Sequence, residues 1–95
     1  MITFKDLIFK DHHHMINAHH VFDNNWEISV SAGVGAYSTP REDIKDPAKF
    51  SSFEIAIFNP KGDFATSEVL QIDDDVAGWQ GRDDITNIIE MIISQ

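Results

Sequence analysis

Gly81-Arg82-Asp83-Asp84-Ile85-Thr86-Asn87-Ile88-Ile89-Glu90-Met91-Ile92 is the stretch on which the fold turns. Ile85, Ile88, Ile89 and Ile92 recur at the spacing that lines one face of an α-helix, while Asp84, Asn87, Glu90 and Met91 lie off that stripe. Gly81 is suited to cap the start of the helix, and Asp83 and Asp84 fall in its first turn, where the helix dipole favours negative charge. Isoleucine is not a strong helix former, so this helix depends on laying its stripe against something apolar. At about 1.5–3 kcal/mol for each fully buried Ile, that docking is a large share of the stability of a small domain.

The surface it needs is written upstream. Trp26, Ile28, Val30 and Ala32 alternate with Glu27, Ser29 and Ser31, the pattern of a strand buried on one face. Residues 16–22 form the strand before it, and Asp23-Asn24-Asn25 has the chemistry of a hairpin connection. Phe53-Glu54-Ile55-Ala56-Ile57-Phe58 alternates in the same way. Asn59-Pro60-Lys61-Gly62-Asp63 reads as a turn, and residues 64–70 read as the returning strand of a second hairpin. Residues 2–10 fit a turn running into a short first strand. Gly33-Val34-Gly35 loosens the chain ahead of a polar connection over residues 38–52, a structureless link of the kind that is usually functional or mobile. The expected fold is α+β: an antiparallel sheet of four to five strands, with two hairpins, packed against one C-terminal amphipathic helix.

Length and composition set the scale. With 95 residues there is room for one core, so residues 1–95 form a single domain. Apolar residues make up 42% and aromatics 11%, an ordinary globular composition, and the longest apolar run is far shorter than a membrane span. The charged start of the chain does not read as a secretory signal. There is no cysteine, which excludes a disulfide framework and thiolate chemistry, and a cytoplasmic location is the simplest expectation.

The net charge of −9 comes from sixteen acids against seven bases and argues against direct binding of nucleic acid, whose phosphates require Lys and Arg. The excess is concentrated. From Gly62 onward the chain carries Asp63, Glu68, Asp73, Asp74, Asp75, Asp83, Asp84 and Glu90 against Arg82 alone. Such a single-sign field favours a basic partner and speeds its encounter, and an acidic surface also serves simple solubility. The candidate partner-binding residues are Glu68, Asp73, Asp74, Asp75, Asp83 and Asp84.

Asp73-Asp74-Asp75 lies between the last expected strand and the helix. It lacks the alternate-position ligands, central Gly and terminal Glu of a calcium loop. Gly78 then reads as a turn and Trp79 as a cap on the core below the helix. His12, His13, His14, His19 and His20 place five imidazoles within nine residues and form the candidate metal set. Their spacing follows no known ligand template, and on a strand His19 and His20 point to opposite faces. The ordinary alternative is exposed loop histidines, with one packed at a sheet edge. Gly33-Val34-Gly35-Ala36-Tyr37 lacks the third glycine, the following helix and the nearby cation of a phosphate loop. No Cys or elbow Ser supplies a nucleophile, so no catalytic residues and no cofactor are expected.

Phe53-Glu54-Ile55-Ala56-Ile57, followed by Asp73 to Trp79 and Ile85-Thr86-Asn87-Ile88-Ile89, resembles a group of small accessory proteins encoded by bacteriophages and prophages. The matching element is Asp74-Asp75-Val76-Ala77-Gly78-Trp79, an acidic segment followed by a glycine and an aromatic, and the resemblance covers the last half of the chain. It implies a context in which small acidic domains inhibit host proteins, as anti-CRISPR proteins and nuclease inhibitors do, some by presenting carboxylates in place of DNA phosphates. No catalytic residue comes with it. The leading expectation is a non-enzymatic protein whose acidic surface docks on a basic, nucleic-acid-handling host protein. Metal binding through the histidines and a structural or assembly role in a virion are the alternatives.

Overall fold

The computed structural model describes residues 2–95. Five strands, β1 (Lys10–His12), β2 (Met15–Val21), β3 (Glu27–Gly33), β4 (Phe53–Phe58) and β5 (Ala77–Gln80), form one antiparallel sheet in chain order. Helices α1 (Thr66–Leu70) and α2 (Arg82–Ile93) follow β4 and β5. The architecture is α+β, as the alternation and the isoleucine stripe require.

Register explains the core. Pairing of Ile28 with Ile57 and Val30 with Ile55 puts four branched side chains on one sheet face. Ile16 and Ala18 of β2 join them there, and Ile85, Ile88, Ile89 and Ile92 of α2 are buried in the same cluster. The other face is polar at its centre, where the Asn17 side-chain amide donates to the Ser29 and Ser31 hydroxyls at 2.9 Å each.

The ends of α2 are tied locally. Gly81 is its N-cap, and the Gly81 N–H donates to the Asp84 carboxylate at 2.8 Å. At the other end Asn24, in the turn between β2 and β3, donates its side-chain amide to the Ile92 carbonyl at 2.9 Å. The Ile92 carbonyl also accepts from the Gln95 N–H at 3.1 Å, so the hairpin tip adds a second bond at the end of the helix.

Three local expectations are corrected. First, residues 64–70 do not return as a strand: one bridge joins Phe58 and Phe64, and the chain then turns into α1. The Ala65 N–H donates to the Ile57 carbonyl at 2.7 Å, and the Thr66 hydroxyl accepts from the Ile57 N–H at 2.8 Å. These two contacts occupy the edge that a longer strand would have used. Second, Gly78 and Trp79 lie within β5, so the acidic triplet sits between α1 and β5. Trp79 is 58% exposed and does not cap the core.

Third, residues 38–52 are not structureless. Phe50 is only 1% exposed, Ile44 packs against the core, Thr39 pairs with Ser52, and Pro47–Lys49 forms a helical turn capped by the Asp46 carboxylate. Lys45 fastens the segment to the β1–β2 hairpin, with its ammonium 2.7 Å from the Asp11 carboxylate and 3.0 Å from that of Asp43, and it also donates to the His13 carbonyl. Hydrogen bonds from His14 and then Lys45 hold the Asp43 carboxyl below its ordinary pKa of 3.8. The bond to Asp11 is the main cause that raises Lys45 above its ordinary 10.5. Close approach fixes Gly33 at the base of this hairpin: its φ is +128°, and a Cβ there would stand 2.6 Å from the His14 carbonyl oxygen.

Candidate functional site

All six candidate partner-binding acids are exposed. Glu68 is on α1, which closes with Gln71 in the left-handed conformation at φ +55°. The chain then runs through Ile72 into the triplet. The Asp74 carboxylate accepts from its neighbour's backbone, the Asp75 N–H, at 2.7 Å, which holds this segment in a tight turn. Asp83 and Asp84 open α2.

Asp84 stands beside a surface groove of about 340 Å³ between the end of α1, β5 and α2, floored by Leu70, Ile72, Ala77, Ile88 and Met91. Asp73 follows Ile72 of this groove directly in the chain, and of the six acids Asp84 lines it.

Arg82 does not neutralise this surface. Its guanidinium carbon lies 5.3 Å from the Phe4 ring centroid and 5.4 Å from that of Phe53, and one of its N–H groups donates to the Pro47 carbonyl at 2.9 Å. The one cation among the last residues is thus turned toward the N-terminal and middle segments. Among the described residues, ion pairs join only Asp11, Asp43 and Glu27 to Lys45, His14 and His19. None of the six acids takes part.

The structure divides the histidines. His12 ends β1, and His13 (φ +58°) and His14 form the connection to β2. His14 Nδ1 is 3.2 Å from the Asp43 carboxylate. His19 lies on the outer sheet face, 3.3 Å from the Glu27 carboxylate and stacked on Phe58. His20 points to the other face, edge-on to Phe22 at 4.8 Å between centroids. His12 and His19 line a groove of about 380 Å³ with Lys10 and Asp11. Among the described residues no three His, Cys, Asp or Glu side chains converge as a metal-holding group.

Sequence reading misses a second exposed feature. Tyr37, from the β3–β4 connection, and Trp79, from β5, pack with their rings tilted by 35° and centroids 5.2 Å apart while 44% and 58% exposed. The β4–β5 ladder slips register between its Phe53 and Ile55 pairings, a bulge that falls at Gly78 and Trp79. Trp79 there has φ +53°, uncommon for any residue but glycine and most unusual for a bulky one. The Trp79 N–H donates to the Tyr37 carbonyl at 2.9 Å. A Cβ on Gly78 would come within 2.7 Å of the Tyr37 Cβ, so only glycine lets the tyrosine lie this close. Arg41 covers the Tyr37 ring with its guanidinium carbon 5.2 Å from the centroid.

Compared with family models, curated proteins and solved structures, the chain gives no match. The functional reading therefore rests on its own residues. Among the described residues, no helix is long and apolar enough to cross a membrane.

Proposed function

We propose that this chain is a non-enzymatic binding protein of phage or prophage type, whose acidic C-terminal surface docks on and inhibits a basic host protein that handles nucleic acid. The observation that carries the reading is the commitment of Arg82 to Phe4, Phe53 and Pro47, which leaves Glu68, Asp73, Asp74, Asp75, Asp83 and Asp84 exposed and without an ion-pair partner. Exposed unpaired carboxylates keep their field for a second molecule, raise its rate of encounter and select against acidic partners. The groove beside Asp84 adds apolar area on which a contact gains affinity as well as rate.

The test is affinity capture from a bacterial host lysate, with the wild-type chain and an Asp73→Lys, Asp74→Lys, Asp75→Lys variant as baits. Each bait is run at about 0.05 M and about 0.5 M salt, where the screening length falls from well above to well below 10 Å. The expected result is a basic protein retained by the wild type at low salt, diminished at high salt and lost from the triple variant. Identical protein profiles from both baits would remove the acidic surface as the docking element.

A further inference from the structure

We infer that Trp79 is the anchor of the docking surface and that its open indole face receives an arginine or lysine side chain from a basic segment of the partner protein. This rests on the reading of the partner as basic and adds where the contact is made. Strain is the first ground. An aromatic residue at φ +53° is conformationally costly, and here it holds one of the two tryptophan side chains out of the core, where burial would have stabilised the fold. A glycine would satisfy this bulge without strain.

The second ground is an unfilled acceptor. Both arginines of the chain already lie over aromatic rings, Arg41 on Tyr37 and Arg82 on Phe4 and Phe53. Indole is the strongest cation acceptor of the aromatic side chains. Yet among the described residues no cation lies over Trp79.

Charge supplies the third. Asp75 and Asp83 are each four residues from Trp79, which limits their Cα separation from it to about 14 Å. Asp74 and Asp84 are one residue further along the chain. With at most about 18 Å between Cα atoms, these acids lie within roughly two screening lengths of Trp79 at physiological salt and raise the local concentration of cations there. Tyr37 packs against the ring, and an aromatic pair of this kind is the usual make-up of an energetic centre in a protein contact.

The probe is octa-arginine amide, with octa-glutamate as control, titrated into isotopically labelled protein at low salt. The expected result is displacement of the Trp79 indole N–H and Tyr37 amide resonances on adding octa-arginine, with no displacement by octa-glutamate. Trp79→Gly keeps the left-handed backbone and should weaken octa-arginine binding about fivefold or more, while Trp79→Phe restores part of the loss. If Trp79→Gly binds like the wild type while the Asp73, Asp74, Asp75 to Lys variant binds poorly, the carboxylates act alone: the anchor falls and the acidic reading stands. Absence of octa-arginine binding, or binding unchanged in both variants, overturns the two together.

Discussion

The Thr66 hydroxyl accepts from the Ile57 backbone N–H at 2.8 Å, and both residues are fully buried. A side chain at the start of α1 thereby takes the place of the next rung of the β4 ladder. Thr66→Val keeps the shape and removes the acceptor, leaving a buried N–H unpaired. It should cost about 1–3 kcal/mol in urea denaturation. Thr66→Ser retains the hydroxyl and should lose less. A larger loss for Thr66→Ser than for Thr66→Val would show that the methyl group, and not the hydrogen bond, secures the turn into α1.

Ile89 is fully buried and Asn87 is exposed on the same helix. Ile89→Asp combines lost burial with an uncompensated carboxylate and should cost about 4 kcal/mol or more, close to the whole stability of a chain this short. Asn87→Asp should cost under about 0.5 kcal/mol. Thermal melts of the two variants side by side check the assignment of faces.

Trp79→Gly should leave the melting temperature close to that of the wild type, although it deletes a tryptophan side chain. Relief of about 1–2 kcal/mol of left-handed strain offsets the lost contact with the Tyr37 ring and the added freedom of glycine in the unfolded chain. A drop approaching the roughly 3–5 kcal/mol of a buried Trp deletion would mean that the ring holds the fold together.

The Lys45 cluster has a defined pH window. Asp43 is held below 3.8, so its contribution is present above that value and is lost as pH falls through its lowered pKa. Lys45 is raised above 10.5, so its contribution is present below that value and is lost as pH rises through its raised pKa. Amide resonances of residues 41–46 should hold steady between about pH 5 and pH 9 and move together outside that range. Movement inside that range would instead show that the contact depends on a group other than Asp43 and Lys45.

What could be read from the sequence was what repeats. Trp26 to Ala32 and the isoleucines of α2 reveal their buried faces because the periods of strand and helix are local properties. β5 was missed because it is short, carries a glycine and sends only Ala77 into the core. α1 was missed because its deciding contact is with Ile57, on another element. The acids were legible as a count along the chain, whereas the orientation of Arg82 that leaves them unpaired depends on Phe4, Phe53 and Pro47. The Tyr37 and Trp79 pair had no signal at all, since it exists only where a bulge in β5 meets the connection after β3.

The sheet order has a consequence for the birth of the protein. Because β1 to β5 lie side by side in the order in which they are synthesised, each new strand finds its neighbour already made. The isoleucine stripe is made after all five. Until α2 emerges, Ile16, Ile28, Val30, Ile55 and Ile57 are displayed to water and to neighbouring nascent chains. This is the interval in which a chaperone would engage the chain, and docking of α2 ends it.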